Sequence, residues 1–316
     1  RRLTQIRNDP SLFVLMVHQN GKGAYQSDFY ELGFPKLANL GSGQAYIAFR
    51  QNGLISEFTD PVTLSLSLDL PDQQLAAPNQ VQNWSKDRNR FIAHAGGMIE
   101  GHTYTNSLEA LNTSYKKGFR LFELDILQTS DGAFVAAHDW GGWKQSAGFK
   151  GQIPPDRGTF NAQLIHGKFQ PLDMDQINKW FADHPDAILV TDKIDLPVQF
   201  SEAFDYPERL QMELFSWTAV HEALDHGVEP ILNEHLLWSI DDDPVAELKD
   251  KGIRKIALSR KWVAQQKVLL KQLKAAGIQI YLFHLNQQDR RNETYVLNYE
   301  LQYAFGMYAD DWFFIE

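Results

Sequence analysis

The sequence predicts a (β/α)8 barrel of the TIM type that follows a small β-rich domain. Three features support this prediction: strand-like alternation before residue 70, a polar segment with two prolines near residue 80, and eight short apolar runs that alternate with amphipathic segments beyond residue 90. We place the β-rich domain and its linker in 1–85 and the barrel in 86–316. A doubly wound open sheet is the alternative architecture, because it shows the same alternation of strands and helices.

The first 85 residues carry two signals for antiparallel strands. The segment VTLSLSLDL, 62–70, alternates apolar and polar residues, which is typical of a half-buried strand. In YIAFRQNGLISEF, 46–58, Asn52-Gly53 separates two strand-like runs and favours a two-residue hairpin turn. The polar segment 71–89 indicates a linker or strap. We therefore expect a hairpin, a further strand and a linker before the barrel.

Beyond residue 90, strand-like runs alternate with helical segments such as KWVAQQKVLLKQLKAAG, whose Gly277 suits a helix C-terminal cap. Eight runs predict the parallel strands: FIAHAG, LFELDI, AILVTD, MELFSW, PILNEH, KIALSR, IYLFHL and GMYADD. A ninth run, FVAAHD at 134–139, follows LFELDI too closely for an intervening helix. It is predicted to be a hairpin partner of that strand, or a barrel strand without a helix.

Composition and charge exclude several functional classes. Of the 316 residues 43% are hydrophobic, but every apolar run is far shorter than the roughly 20 residues of a membrane-spanning helix. The net charge of -10 argues against a nucleic-acid-binding surface. The absence of cysteine excludes disulfides and thiolate sites. Together with a sequence that begins at Arg1, it favours an extracytoplasmic (periplasmic or secreted) location, with a membrane surface as a candidate partner.

The run FIAHAGG places His94 at the predicted end of the first barrel strand. In such barrels the catalytic residues lie at the C-terminal ends of the strands. The two glycines that follow let the chain turn sharply and approach a ligand closely. Asn106 and Glu109 match a helix N-cap with a capping box, and Gly118 matches the C-cap of the same helix. We therefore expect His94 at the mouth of the barrel.

The next strand, LFELDI, carries two acids. Glu123 and Asp125 lie two residues apart and therefore share the inward face, while their neighbours pack outward. Two buried carboxylates repel each other and lose solvation, so a cation must compensate them. Oxygen ligands and the lack of cysteine favour Mg²⁺ or Ca²⁺. A two-residue turn at Asp131-Gly132 would set His138 opposite Asp125 and bring a second histidine beside the acids.

The ordered set of motifs between 90 and 140 resembles the glycerophosphodiester phosphodiesterase family. The family pattern is a strand ending in His-Arg-Gly, then Glu-Asn-Thr, Glu-Leu-Asp, Asp-Gly and His-Asp; this chain has FIAHAGG, TNSLEAL and GFRLFELDILQTSDGAFVAAHDW. The rest of the barrel matches only as an alternation of strands and helices. The resemblance implies a metal-dependent phosphodiester hydrolase in which His94 and His138 are the acid and base and Glu123 and Asp125 are metal ligands.

Three positions depart from the family pattern. Ala95 stands where the family has arginine, so another cation must contact the phosphate or the substrate differs. Thr105 stands where the family has glutamate before the asparagine. The family's acid-x-Lys strand corresponds to LVTDKID, where Asp192 and Lys193 are adjacent and would face opposite sides unless the strand ends or bulges there. We take Asp192 as the third metal ligand and Lys193 as a phosphate contact.

Other residues near predicted strand ends are secondary candidates. Trp140 could line a pocket for the substrate alcohol or headgroup within an adaptable wall formed by 140–160, although surface packing also explains this tryptophan. Glu234 and Asp195 are the next candidates for the third metal ligand. Core hydrogen bonding is the expected role of three further residues: His235, His284 and Asn286.

The function predicted from these residues is metal-dependent hydrolysis of a glycerophosphodiester-like or phospholipid-headgroup phosphodiester. One histidine would take the proton of the nucleophile and the other would protonate the leaving alcohol, in an order that the sequence leaves open. A non-catalytic phosphate- or lipid-binding barrel is the alternative, because Ala95 replaces the arginine. A glycoside hydrolase fits less well, because its paired acids act without metal and usually come from different strands.

Overall fold

The structure is a computed structural model that describes residues 78–285 and 292–314, together with the backbone of three earlier strands. The chain divides into two compact units, Arg1–Asp72 and Gln73–Glu316. Among the described residues, no helix is both long enough and apolar enough to cross a membrane.

The described part of the first unit contains an antiparallel sheet with the order β1-β2-β3. Its strands are β1 (Phe13–Val17), β2 (Tyr46–Gln51) and β3 (Leu54–Thr59). Gln51 pairs with Leu54, which confirms the predicted hairpin between β2 and β3. The predicted turn at Asn52-Gly53 and the predicted strand at 62–70 lie outside the described residues.

Where the sequence predicts a linker or strap over 71–89, the structure has an α-helix, Pro78–Lys86. Trp84 in this helix is buried and packs edge-on against Phe91, with 5.3 Å between the ring centroids. Val81, one turn earlier, packs against the same core. Two apolar residues at helical spacing therefore anchor a segment whose remaining residues are polar enough to suggest a linker.

The second unit contains nine strands in its described part: β4 (Phe91–Ala93), β5 (Leu121–Gln128), β6 (Phe134–Ala136), β7 (Ile188–Asp192), β8 (Leu210–Leu214), β9 (Glu229–Asn233), β10 (Lys255–Ser259), β11 (Gln279–Phe283) and β12 (Gly306–Ala309). All except β6 are parallel and follow the order β4-β5-β7-β8-β9-β10-β11-β12. Pairing of β12 with β4 closes the ring, which confirms the predicted (β/α)8 barrel and excludes the open sheet. Each of the eight predicted runs overlaps one of these strands.

Helices occupy the segments between the strands. They span Leu108–Lys117, Trp140–Ser146, Arg157–Asn161, Met174–Asp183, Pro197–Ala203, Trp217–Asp225, Glu234–Leu237, Pro244–Asp250, Lys267–Ala275 and Glu293–Tyr295, the last continued by a π-helical turn, Val296–Glu300. Their apolar residues join the outward faces of the strands in one large core. A smaller cluster fills the barrel interior: Ile92, Leu121, Val190, Ile231, Ala257, Tyr281 and Tyr308. The strands therefore alternate between an inner and an outer apolar layer.

The ninth run, FVAAHD, forms an antiparallel hairpin with the end of β5, so it is the predicted hairpin partner and not a barrel strand. The predicted register is wrong by one residue, because the Ala137 N–H donates to the Asp125 carbonyl at 2.8 Å, so that Asp125 lies opposite Ala137 rather than His138. Thr129 N–H bonds to the Ala133 carbonyl at 2.9 Å, which leaves three residues in the loop instead of two. Gly132, at φ 82°, supplies the left-handed residue that such a loop requires.

The segment 140–160 is more ordered than the predicted adaptable wall. It forms the helix Trp140–Ser146, capped by the Asp139 side chain, and the short helix Arg157–Asn161. Trp143 and Phe160 from these helices stack on each other and pack with Val135 of β6. The segment therefore has its own small apolar core beside the mouth of the barrel.

Candidate active site

The predicted site residues meet at the C-terminal ends of β4, β5 and β7. His94 directly follows β4, Asp192 is the last residue of β7, and Asp125 pairs in register with Asp192. Together with Glu123, His138 and Lys193, these side chains line one small cavity of about 110 Å³, which we call the central cavity. The structure thus brings together six of the seven residues predicted for the site.

The turn after His94 depends on its glycines. Three consecutive residues have left-handed backbone: Ala95 (φ 49°), Gly96 (φ 80°) and Gly97 (φ 92°). A Cβ atom at Gly97 would lie 2.1 Å from the Ser114 hydroxyl, and that hydroxyl donates to the Gly96 carbonyl at 2.7 Å. The glycines therefore let the following helix pack directly against the turn that carries the histidine.

The prediction that Asn106 caps that helix is wrong. The N-cap is Ser107, whose hydroxyl accepts from the Ala110 N–H at 3.3 Å and whose backbone is extended, as N-caps require. Asn106 instead lies buried against the acids: its Nδ2 donates to Asp125 Oδ2 at 2.9 Å, and its Oδ1 accepts from the Asp125 N–H at 3.0 Å. The residue therefore orients a carboxylate of the site. Gly118 is the C-cap, as predicted.

Three carboxylates form the acidic part of the central cavity. One oxygen from each of Glu123, Asp125 and Asp192 lies within 4.8 Å of the other two. Burial, and then the charges of neighbouring carboxylates, raise the pKa of both Glu123 and Asp125. Glu123 Oε2 accepts from the Ala95 N–H at 2.6 Å, whereas its buried Oε1 has no hydrogen-bond partner among the described residues. The cluster therefore holds negative charge that the protein compensates only in part.

Lys193 faces the same cavity because the strand ends at Asp192. Its backbone is left-handed at φ 69°, so the alternation that would have turned it away does not apply. The Nζ atom lies 2.7 Å from Asp192 Oδ2 and 3.9 Å from Asp125 Oδ1. Burial acts to lower the pKa of Lys193, but the surrounding carboxylates outweigh it and raise that pKa. The ammonium therefore stays charged at the position where a cation is needed.

Each predicted catalytic histidine is paired with an aspartate through Nδ1. His94 Nδ1 lies 2.9 Å from Asp310 Oδ1, and His138 Nδ1 lies 3.0 Å from Asp139 Oδ2. Tyr104 lies between the two imidazoles, with ring centroids 4.7 Å from His94 and 5.0 Å from His138. When Nδ1 donates to its aspartate, Nε2 is the atom of each ring that is available for proton transfer.

Sequence analysis missed several residues around this cavity. Glu213 in β8 is buried; its Oε1 accepts from Asn233 Nδ2 at 2.6 Å and its Oε2 from the Tyr308 hydroxyl at 3.1 Å. Burial, with a contribution from Asp192, raises the pKa of Glu213 to about 8. The rule that identified Glu123 would also have found Glu213, because it too occupies an inward position of a predicted strand.

The secondary candidates have structural roles. Glu234 accepts from the Ser259 N–H at 2.6 Å, and Asp195 accepts from the Phe215 N–H at 2.9 Å. The pair His235 and Asn233 are joined by a 2.6 Å hydrogen bond. None of Glu234, Asp195 and His235 is among the described residues that line the central cavity.

For His284 and Trp140, the position relative to the central cavity differs from the prediction. His284 hydrogen-bonds Ser259 through Nδ1, as expected of a core histidine, yet it also lines the central cavity. Trp140, predicted to bind substrate, packs against Trp143 and Phe160 and does not line that cavity. Asn286 lies outside the described residues.

A second, larger cavity adjoins the first. This side cavity has a volume of about 440 Å³ and shares Tyr104, His138 and His284 with the central cavity. Its remaining wall comes largely from the segment after β6, including Trp143 and Ser146. The mouth of the barrel therefore joins a small acidic chamber to a larger one without carboxylate clusters.

Comparison with solved structures identifies similar barrels. A glycerophosphodiester phosphodiesterase from Parabacteroides distasonis is 14% identical, with a TM-score of 0.56 over 75% of this chain and 90% of that chain. A phosphodiesterase from Oleispira antarctica, solved with the product sn-glycerol-3-phosphate, is 16% identical, with a TM-score of 0.54 over 70% and 92%. No protein-family model and no curated protein matches the sequence. The structural similarity confirms, at the level of the fold, the resemblance that the motifs predict.

Proposed function

We propose that this barrel hydrolyses phosphodiesters with the help of a divalent cation. The observation that carries the proposal is the convergence of Glu123, Asp125 and Asp192 within 4.8 Å at the mouth of the barrel. Two histidines, each paired with an aspartate, line the same cavity. This combination suits acid-base chemistry on an anionic substrate better than either group alone would.

The three carboxylates fit a hard cation. Two of them are almost completely buried, and the raised pKa values of Glu123 and Asp125 show that their negative charge is poorly compensated. The Oε1 atom of Glu123 has no hydrogen-bond partner among the described residues, so it is available to coordinate a cation. Oxygen ligands of this kind suit Mg²⁺ or Ca²⁺. When bound, such a cation would neutralise charge on a phosphodiester oxygen.

The histidines would move the protons. With Nδ1 held by Asp310, the Nε2 atom of a neutral His94 is a proton acceptor; with Nδ1 held by Asp139, a protonated His138 could donate from Nε2, or the two could act in the reverse order. One ring would take the proton of the attacking hydroxyl or water, and the other would protonate the oxygen of the leaving alcohol. The phosphorus–oxygen bond to that alcohol breaks as the bond to the nucleophile forms.

Lys193 would supply the positively charged side chain that is missing at Ala95. Its ammonium lies between Asp192 and Asp125, on the wall of the central cavity, and its charge would hold a non-bridging phosphate oxygen. The solved Oleispira antarctica phosphodiesterase, which carries sn-glycerol-3-phosphate as product, supports a small phosphodiester as the substrate. The proposed substrates are therefore glycerophosphodiesters or related headgroup diesters.

A panel assay tests the proposal. The purified protein would be offered phosphodiesters, phosphomonoesters and glycosides, each with Mg²⁺ or Ca²⁺ added and again in excess chelator after verified metal removal. We expect turnover of phosphodiesters alone, and only with metal. Full turnover in chelator would contradict the role of the cation, turnover of glycosides would favour a glycosidase, and no turnover at all would favour a phosphate-binding barrel.

A further inference from the structure

The side cavity is large enough to hold the group that a phosphodiester carries next to its phosphate. The central cavity, at about 110 Å³, has a quarter of the volume of the side cavity, at about 440 Å³. The two share the ring of His138, which is one of the predicted acid-base groups. A phosphate in the central cavity would therefore direct one of its ester groups into the side cavity.

Charge in the side cavity is low. Among the described residues that line it there is no lysine and no arginine, and its one carboxylate belongs to Asp139. That carboxylate is already engaged, since Oδ1 accepts from the Gly142 N–H at 2.7 Å and Oδ2 pairs with His138 at 3.0 Å. A substrate group with a second phosphate would find no lysine or arginine partner there, and a cationic group would find only a carboxylate that is already paired.

Trp143 and Tyr104 are the large aromatic side chains among the described residues that line the side cavity, and they do not form an open cage. Trp143 stacks on Phe160 at 5.3 Å and contacts Phe149 at 5.2 Å between centroids. Tyr104 is 40% exposed and meets the rings of His94 and His138 edge-on. A quaternary ammonium group binds best where several open aromatic faces surround it, and the buried Trp143 leaves Tyr104 as the one exposed ring of this pair.

Uncharged hydrogen-bonding groups remain along the wall. The Ser146 hydroxyl donates to the Trp143 carbonyl at 3.1 Å, which leaves its oxygen as an acceptor. Thr103 adds an exposed hydroxyl and His166 an imidazole. Such a wall suits several hydroxyl groups of one ligand.

We propose that the side cavity selects phosphodiesters whose second alcohol is a neutral ring polyol, a cyclitol or a hexose, over diesters of choline. This inference rests on the proposed phosphodiester hydrolysis and adds the class of alcohol to it. The cavity volume, the absence of lysine and arginine among its described lining residues, and the lack of an open aromatic cage there all favour a neutral polar ring over a cation or a second anion.

The first test compares two substrates that share the same glycerol phosphate. We expect kcat/KM for glycerophosphoinositol to exceed that for glycerophosphocholine at least tenfold, with metal present. Equal values or the reverse preference would overturn the inference while leaving the proposed function intact. Failure to turn over any phosphodiester would instead contradict the proposed function, and the inference with it.

The second test uses matched variants. Ser146→Leu would fill the side cavity, so we expect the ratio of the two kcat/KM values to fall at least fivefold. Ser201→Leu is the control, because Ser201 is also half-buried and its hydroxyl also donates to the carbonyl three residues earlier, Val198, but it does not line either cavity. A ratio is independent of the amount of folded protein. An unchanged ratio in Ser146→Leu would overturn the inference.

Discussion

The two cavities at the mouth of the barrel differ in charge and in origin. The central cavity is built largely from side chains of barrel strands and strand ends, and it holds a cluster of three carboxylates, two of them buried, with the buried Glu213 also on its wall. The side cavity is walled largely by the segment after β6, where carboxylates and aromatic rings already have partners. The barrel strands therefore carry the groups whose charges are costly to bury, while the segment after β6 forms much of the wall of the side cavity beside them. Chemistry and selectivity can then change independently.

The largest effect that this division predicts concerns the two histidines. His94→Ala and His138→Ala should each reduce kcat by about 10²–10⁴-fold, because each removes a proton-transfer group. The double variant should lose much less than the product of the two, since the residues act as a pair. Steady-state kinetics on a phosphodiester, with circular dichroism to verify folding, measures this.

A histidine outside both cavities provides the control. His226 caps a helix and hydrogen-bonds the Glu222 carbonyl through Nδ1. His226→Ala should keep normal rates. If either His94→Ala or His138→Ala also kept near-normal rates, that histidine would not belong to the proposed mechanism.

A second experiment tests whether the acidic charge of the central cavity serves a cation. Asp192→Asn preserves shape but removes one charge that raises the pKa of both Glu123 and Asp125. Metal affinity should fall by more than the roughly 10- to 100-fold that is typical when a partner of a metal ligand is lost, while thermal stability without metal stays level or rises. Calorimetric titration with Mg²⁺ and Ca²⁺ and melting in chelator measure the two quantities.

Asp195→Asn is the matched control for this experiment, because Asp195 lies three residues away, accepts a backbone N–H from Phe215 and is not among the described residues that line the central cavity. It should leave metal affinity unchanged. An unchanged affinity and activity in Asp192→Asn would mean that the third ligand lies elsewhere.

A smaller effect should separate the two aspartates that hold the histidines. The side chain of Asp310 is only 16% exposed, whereas that of Asp139 is 59% exposed and screened by solvent. Asp310→Asn should lower kcat by about 10- to 100-fold with little change in KM, as is typical when a residue that orients a functional side chain is lost. Asp139→Asn should cost less, since asparagine still caps the helix. Equal losses in the two variants would contradict this ranking.

Much of the central cavity could be predicted from sequence, because its residues follow strand periodicity. Glu123 and Asp125 share a face in a run with a period of two, and His94 ends a short apolar run before two glycines. The same rule applied to MELF would have found Glu213. Alternation predicts facing directions wherever a strand is regular, and it failed at Lys193 because the backbone there is left-handed.

The side cavity could not be predicted in the same way. Its position depends on the loop after β5, which has three residues where the sequence suggested two, and on how the helix Trp140–Ser146 packs. The role of Asn106 was missed because Ser107, its neighbour, is an equally good N-cap. Asp310 lies more than 200 residues from His94, so no local pattern connects them. These features are decided by tertiary packing.

The smallest expected effect tests whether the acidity of the central cavity extends beyond the three carboxylates. Burial raises the pKa of Glu213 from its ordinary 4.5 to about 8. Below the ordinary value, both the folded and the unfolded protein keep the proton, so there is no penalty. As pH rises from about 4.5 to 8, the unfolded chain releases the proton first, and the folded state loses stability.

Glu213→Gln keeps an acceptor for Asn233 and removes this loss. In urea denaturation with chelator at pH 5 to 8, the free energy of unfolding should therefore fall less steeply in the variant than in the wild type, while Glu123 and Asp125 contribute to both. Parallel pH curves would contradict this expectation, because they would mean that the pKa of Glu213 is the same in the folded and the unfolded protein.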